Sequence, residues 1–359
     1  MTIYLVVALL LVVCGLYFES INSASNGLGI RKKVPNYFFI IPSFLLLFFI
    51  STFRGDFNTD YRNYTNIFHL INNYSLTDVF TVGFNIENGY ILLNKLIGMF
   101  TDNEIYLFAV TTFIILYGFY HQFNRYSVNI WLSVLMFVTA GSYYASFNIT
   151  RQILTVAIIF MGSKFLYERK FFKYLLVVIL ATLFHKSAII MLPFYFILNF
   201  KINLRNMLFI TAGSVFIILF FDSILAFVQN YAYQNYTEDA YGMDGQRFTN
   251  AVLPLSLLIF SFFHIKKIDP KNTMHRIWFN AVIFYAVFFI IALQVEMLKR
   301  IGYFFAPYAL LLIPFLFSKM QDKNLRVVYM MVLIAALVLY NYITLADSVY
   351  DPFYFIWDK

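Results

Sequence analysis

Charge is scarce in this chain. Only 12% of its 359 residues are Asp, Glu, Lys or Arg, whereas 61% are hydrophobic and 21% are aromatic. Soluble domains carry about 25% charged and about 45–50% apolar residues, so this composition excludes a soluble globular enzyme and a disordered chain. The single cysteine, Cys14, excludes an intrachain disulfide and a Cys-based metal site. What remains is the composition of a polytopic membrane protein.

Common catalytic motifs are missing as well. The sequence contains no His-Glu-x-x-His, no Asp-x-Asp, no phosphate loop of the Walker A type and no Gly-x-Ser-x-Gly elbow. We therefore expect chemistry that uses neither a metal nor a cofactor, with basic side chains in the place that Mg²⁺ often takes.

Apolar runs of about 20 residues can cross a bilayer as helices. Ten segments approach this length: 2–18, 35–53, 105–123, 128–147, 152–167, 207–228, 251–265, 277–295, 301–317 and 327–346. The predicted fold class is all-α, with about ten full transmembrane helices in one integral membrane domain over residues 1–359.

The basic residues predict the orientation, because Lys and Arg collect in cytoplasmic loops. Six stretches placed inside hold 17 of the 26 basic residues: 31–33, 125, 164–173, 201–205, 266–276 and 319–326. This arrangement puts the N-terminus outside, with long outer loops at 54–104 and 229–250. A net charge of +8 distributed in this way favours a membrane topology and needs no nucleic-acid partner.

Three shorter apolar runs do not fit the span count. Residues 89–100 predict a re-entrant or interfacial helix, because a full crossing would turn the basic 164–173 loop outward. Runs 171–184 and 188–200 flank His185, and 14 residues of helix reach only about 20 Å into a core of about 30 Å. We expect a short hairpin beside a wet cavity, or else two tilted full spans.

Charged groups cluster on the predicted outer side. An ionisable residue at the centre of a span costs about 2.5–3.5 kcal/mol, so five clusters in so uncharged a chain favour a site. They are Phe53–Tyr64, Glu87–Tyr90, Phe147–Gln152, His185–Ser187 and Glu296–Arg300. Taken singly, each also fits an ordinary helix ion pair, a solvated loop charge or a side chain that reaches toward the headgroups.

At these clusters the chain resembles the EpsG family, membrane proteins of bacterial exopolysaccharide and O-antigen loci. The matching pieces are Arg54-Gly55 with Thr59-Asp60-Tyr61 and Tyr64, Glu87-x-Gly89-Tyr90 with Leu92-Leu93, Arg151-Gln152, Phe184-His185-x-Ser187-Ala188 with Pro193, and Arg300 with Tyr303-Phe304. The family often has Gly before Thr-Asp-Tyr, where this chain has Asn58.

The resemblance implies a Wzy-like polymerase in the bacterial cytoplasmic membrane, similar in architecture to GT-C glycosyltransferases. Such an enzyme would move a growing glycan from undecaprenyl pyrophosphate onto a lipid-linked oligosaccharide repeat unit. Its expected partners are that lipid-linked glycan, membrane lipid, and a chain-length regulator and flippase of the same pathway.

Glycosyl transfer from a pyrophosphate suggests roles for the clustered residues. Asp60 is the expected base, with Glu87 second and His185 as a catalytic group that orients the acceptor or bonds a phosphate oxygen. The expected substrate-binding residues are Arg54, Tyr61, Tyr90, Arg151, Gln152, Glu296 and Arg300.

Two other classes stay open at this point. A flippase for lipid-linked oligosaccharides would need charges along a path that both sides can reach, whereas these gather on one side. A membrane O-acyltransferase would need an inner-face His or Arg, for which the chain offers His121 near Arg125 and the pair His275-Arg276.

Overall fold

The computed structural model describes residues 2–27, 35–56, 59–220, 247–346 and 348–358. Of the described residues, 76% are helical, and they form no strand beyond one isolated antiparallel bridge between Arg54 and Phe355. The all-α prediction is therefore confirmed. The chain packs as two compact units, one of residues 1–192 and 317–359 and one of residues 193–316.

The first unit contains most of the helices. They are α1 (Thr2–Gly27), α2 (Tyr37–Thr52), α3 (Thr59–Asn72), α4 (Asn88–Gly98), α5 (Ile105–Tyr126), α6 (Ile130–Thr139), α7 (Ser142–Asn148), α8 (Thr150–Met161), α9 (Ser163–Tyr167), α10 (Phe171–Thr182) and α17 (Lys323–Leu345). Short 3₁₀ turns at Asp78–Phe80 and Lys186–Ile190 join some of them.

The remaining helices belong mainly to the second unit, and its two borders fall inside α11 and α16. They are α11 (Met191–Ile197), α12 (Leu204–Leu219), α13 (Thr249–Phe263), α14 (Thr273–Ile291), α15 (Lys299–Gly302) and α16 (Ala306–Ser318), with 3₁₀ turns at Ile265–Lys267 and Glu296–Leu298.

Four described helices are long and apolar enough to cross a membrane, and six if two bent helix pairs each count as one span. A multi-pass membrane protein is thus supported, while the count of ten stays a prediction. Five further apolar helices of 10–17 residues occupy positions where we expected spans or the hairpin: 37–52, 150–161, 171–182, 186–197 and 249–263.

Glycines account for the breaks inside two predicted spans. The run 128–147 divides into α6 and α7 at Gly141, whose φ of 89° lies in the left-handed region that favours glycine. The run 152–167 divides into α8 and α9 at Gly162, where a Cβ would lie 2.5 Å from Val177. Hydropathy does not register either break, since the flanking residues stay apolar.

The predicted outer loop 54–104 contains one α-helix that we expected and one that we did not. Helix α3 fills residues 59–72 with a polar, amphipathic sequence, and α4 confirms a helix at 88–98. Whether α4 is re-entrant stays a prediction. Most of the second predicted loop, residues 229–246, lies outside the described residues.

Polar contacts join the long helices of the first unit. Ser51 of α2 bonds Thr112 of α5 at 2.8 Å, and the Tyr143 hydroxyl of α7 donates to the Leu47 carbonyl at 2.6 Å. The buried indole of Trp131 donates to Glu19 at 2.8 Å, and its ring lies on Gly15 of α1. These contacts fix how α1, α2, α5, α6 and α7 pack.

The second unit has an aromatic core. The Phe194 ring lies 4.7 Å from both Phe284 and Phe305, centroid to centroid. The Asn280 amide donates to the carbonyls of Leu198 at 3.0 Å and Phe200 at 2.9 Å, which closes the end of α11.

The contact between Gly15 and Trp131 yields a stability prediction. A Cβ at Gly15 would overlap the indole ring, so Gly15→Ala should lower stability by about 1–3 kcal/mol through overpacking. Gly213→Ala in α12 is the matched control, because nothing lies within 4 Å of a Cβ there and Ala favours a helix. Thermal melting in detergent should show a lower midpoint only for Gly15→Ala; equal midpoints would contradict the packing argument.

Candidate active site of the first unit

An ion pair joins two of the predicted site clusters. Arg151, in the first turn of α8, donates through Nη1 to Oε2 of Glu87 at 2.5 Å. The other carboxylate oxygen, Oε1, accepts from the backbone N–H of Lys186 at 3.1 Å. One carboxylate therefore ties together α4, α8 and the turn after α10.

Backbone packing places Glu87 at this junction. Glu87 is the extended residue that precedes α4, and two residues later the Gly89 N–H donates to the Leu183 carbonyl at 2.8 Å. A Cβ at Gly89 would lie 2.7 Å from that same oxygen. The Glu-x-Gly pattern thus reflects a close approach that only glycine permits.

Two tyrosines line the ion pair. The guanidinium of Arg151 lies 5.8 Å from the ring centroid of Tyr90, and the rings of Tyr64 and Tyr90 meet edge to face at 5.9 Å. Burial raises the pKa of the Tyr64 hydroxyl, while the charge of Arg151 opposes that rise. Both hydroxyls therefore stay protonated at neutral pH, as hydrogen-bonding groups beside a cation.

Arg54 lies deeper than we expected. It is 2% exposed, and its guanidinium is surrounded by the rings of Phe108, Phe147 and Tyr61 at 4.5, 5.0 and 5.8 Å. It donates to the Ser51 carbonyl and forms no ion pair with any described residue. Burial lowers the pKa of Arg54 to about 10, so it remains a cation at neutral pH.

Each arginine keeps an unused donor. The Nε atoms of Arg54 and Arg151 are both buried, and neither has a hydrogen-bond partner among the described residues. Arg151 remains accessible, with 25% of its side chain exposed, as does its partner Glu87 at 11%. A guanidinium fork with a free donor is suited to binding an oxyanion.

Asp60 and Tyr61 open α3. Asp60 is half-buried in the first turn, where its charge acts on Tyr64 and contributes to that raised pKa. The Tyr61 ring stacks on Phe108 at 4.4 Å, and burial raises the pKa of Tyr61 to about 12. Asp60 is thus a carboxylate within the same cluster as Arg151.

His185 and Gln152 border the cluster. The Nδ1 atom of His185 accepts from the Ser187 N–H at 3.2 Å and meets the Ser187 hydroxyl at 2.9 Å, which caps the 3₁₀ turn 186–190. Gln152 follows Arg151 and is 1% exposed. The positions are consistent with the predicted site, and their chemical roles stay predictions.

The two remaining predicted residues belong to the second unit. Glu296 opens a 3₁₀ turn and forms an ion pair with Lys299. Arg300 lies half-buried in the short helix α15. That these residues share a cavity with Arg151 stays a prediction.

Sequence reasoning missed several contributors to this cluster. The aromatic wall residue Phe108 lies in an apolar run and looks like an ordinary span residue. The backbone N–H of Lys186 contributes through local turn geometry. The exposed pair of Asp56 and Arg62, at 2.8 Å, was visible only as neighbouring loop charges. The structure also bears on metal binding. Among the described residues, no group of three His, Cys, Asp or Glu side chains lies close enough together to bind a metal ion.

A family model described as "EpsG family" matches residues 36–355, nearly the whole chain. The chain belongs to the EpsG family. EpsG is a Wzy-like polymerase family, which indicates a polysaccharide polymerase in surface glycan synthesis. No curated protein and no solved structure matches the chain.

A double-mutant cycle can measure how strongly the central ion pair holds the EpsG-family site together. We expect a coupling of about 1.5–3 kcal/mol between Glu87→Gln and Arg151→Gln, because the bond is charged and largely shielded from water. The readout is the free energy of unfolding in mixed micelles.

The ion pair of Asp56 with the solvent-exposed Arg62 provides the control for that cycle. Its arginine side chain is 68% exposed, so Asp56→Asn with Arg62→Gln should show no measurable coupling. Equal couplings for the two pairs would contradict a special structural role for Glu87 and Arg151.

Proposed function

We propose that this EpsG-family protein transfers a growing glycan from undecaprenyl pyrophosphate onto a lipid-linked oligosaccharide repeat unit. The observation that carries the proposal is the convergence of Glu87, Arg151 and the turn after His185 in one cluster. These residues lie far apart in sequence, and they come from the segments that resemble the family. The partly exposed guanidinium of Arg151 is suited to binding a pyrophosphate, and the neighbouring tyrosines are suited to binding a sugar.

The two carboxylates of the cluster take different roles in this proposal. Both oxygens of Glu87 are engaged, one by Arg151 and one by the Lys186 N–H, so Glu87 positions the arginine. Asp60 is the general base, since it is half-buried in the same cluster at the start of α3. An acceptor hydroxyl needs such a base within hydrogen-bonding reach.

The arginines neutralise the leaving group. Arg151 binds the pyrophosphate through its partly exposed guanidinium group, and Arg300 is the second expected ligand, as guanidinium groups bind phosphate bidentately. Arg54 is enclosed by rings and adds positive potential at Tyr61 and Tyr90. Developing negative charge in a partly dry site is stabilised by such fixed cations.

The reaction balances with these groups. The acceptor hydroxyl oxygen attacks the anomeric carbon of the first sugar of the donor glycan, and its proton passes to Asp60. The bond from that carbon to the pyrophosphate oxygen breaks, and the electron pair leaves with undecaprenyl pyrophosphate. Tyr61, Tyr90, Gln152 and Glu296 bind the sugars, and His185 orients the acceptor; no metal is required.

The membrane setting completes the proposal. We place the chain in the bacterial cytoplasmic membrane with its N-terminus and site outside, about ten spans and a GT-C-like architecture. A flippase would supply the lipid-linked units, and a chain-length regulator would act on the polymer. The basic stretches at 164–173 and 266–276 support this orientation.

Deleting the gene in its host tests the function directly. On a gel that resolves chain length, we expect the ladder of surface polysaccharide to disappear while single repeat units still reach the surface. Lipid-linked units trapped inside would indicate a flippase. An intact ladder with altered side groups would indicate a decorating acyltransferase, and either result would overturn the polymerase.

Complementation with Asp60→Asn then tests the base. The variant should restore no ladder, because an amide cannot take the proton, while it still binds the lipid-linked donor. Asp78→Asn is the matched control, since the Asp78 carboxylate accepts only from the neighbouring Ser75 and Thr77 hydroxyls, and the variant should restore the full ladder. A normal ladder from Asp60→Asn would remove Asp60 from the mechanism.

Arg151→Lys tests the geometry of the pyrophosphate ligand. The charge is retained but the planar fork is lost, so turnover should fall at least about tenfold. Arg125→Lys, at an exposed position in the last turn of α5, should leave turnover unchanged. The comparison uses the rate of polymer formation from purified lipid-linked repeat units; full activity in Arg151→Lys would contradict the role.

A further inference from the structure

The last residues of the chain return to the turn that follows α2. The Gly55 N–H donates to the Tyr354 carbonyl at 2.7 Å, and the Ile356 N–H donates to the Phe53 carbonyl at 3.1 Å. These bonds make the single antiparallel bridge of Arg54 with Phe355 among the described residues. Residues 350–358, the C-terminal segment, thus pair with the backbone on both sides of Arg54.

Aromatic packing holds the C-terminal segment in place. Trp357 stacks on Phe355 at 4.8 Å, and it lies 5.9 Å from Phe49 and 5.8 Å from Phe53, between centroids. At the start of the segment, the Tyr4 hydroxyl of α1 donates to the Tyr350 carbonyl. Both ends of the segment are therefore anchored on helices of the first unit.

Tyr354 makes the most direct contact with the turn 53–56. Its hydroxyl donates to the Asp56 carbonyl, and its ring lies against Gly55 so closely that a Cβ at Gly55 would overlap it. The Tyr354 side chain thus contacts both Gly55 and Asp56, while the Tyr354 carbonyl accepts the Gly55 N–H. The turn 53–56 carries Arg54 into its aromatic cage and leads to Asp60.

We infer that the C-terminal segment is a positioning element of the active site, with Tyr354 as the residue that fixes the turn 53–56. The helical hydrogen bonds of α2 end with the helix, so the backbone groups of the turn 53–56 need partners from another segment. The C-terminal segment provides these partners and thereby determines the geometry of the turn. A turn that shifts would move Arg54 and the start of α3 together. The effect on catalysis rests on the proposed function, whereas the fixing of the turn does not.

Tyr354→Phe tests the inference, because it keeps the ring and removes only the bond to Asp56. Tyr4→Phe is the matched control: it also removes one hydroxyl bond to a backbone carbonyl, but at the far end of the C-terminal segment. Gly55→Ala disturbs the contact between Gly55 and the Tyr354 ring, because the added Cβ would overlap that ring. This variant replaces Tyr354→Phe in the test if Tyr354→Phe does not fold.

The first readout is hydrogen exchange of the peptide that covers residues 53–56, measured by mass spectrometry on the full chain in detergent. We expect exchange to be at least about threefold faster in Tyr354→Phe and unchanged in Tyr4→Phe, since solvent competes for backbone groups that are no longer held. Unchanged exchange in Tyr354→Phe, or an equal rise in both variants, would overturn the inference.

The second readout is polymer formation from purified lipid-linked repeat units. We expect a several-fold lower kcat in Tyr354→Phe with melting midpoint and donor KM close to wild type, and no change in Tyr4→Phe. Faster exchange with normal turnover would overturn the positioning role. If wild type forms no polymer while Tyr354→Phe still exchanges faster, the proposed function fails and the fixing of the turn stands.

Discussion

The ion pair between Glu87 and Arg151 is the contact on which the candidate site depends. It joins residues 64 positions apart in the sequence, and the same carboxylate accepts the Lys186 N–H. Removing one partner of such a pair leaves a charge in a largely dehydrated place, which costs several kcal/mol. Three segments of the first unit would then lose their common anchor. In the proposed mechanism Glu87 is therefore the positioning group, and Arg151 is the group that binds substrate.

The positions of the helices were largely predictable, because apolar length determines where a membrane chain is helical. The predicted start of the helix at 105 is confirmed, and α2, α4 and α10 differ from the predicted runs by a few residues. The breaks were not predictable from hydropathy. Gly141 is required by its positive φ, a local backbone conformation, whereas Gly162 is required by the close packing of Val177 from a neighbouring helix.

The site was predictable as a set of residues and not as a geometry. Because the chain has few charged residues, the ionisable residues near its apolar runs are easy to identify, and Glu87 and Arg151 could be selected from the sequence. Sequence could not show that they bind each other, because their pairing depends on the approach of Gly89 to Leu183. Nor could it show that the C-terminal segment pairs with the turn 53–56, since that contact spans almost 300 residues.

The cost of burying the Arg54 cation is offset by its contacts with aromatic rings. Removing a cation from water costs several kcal/mol after relaxation, and no carboxylate among the described residues offsets it. Three ring contacts at about 2 kcal/mol each in a dry setting compensate for a comparable amount. The positive charge of Arg54 is thus retained without a counterion from the described part of the chain, whereas Arg151 is paired with Glu87. A pyrophosphate at Arg151 would meet this additional positive potential, which favours the leaving group as its charge develops.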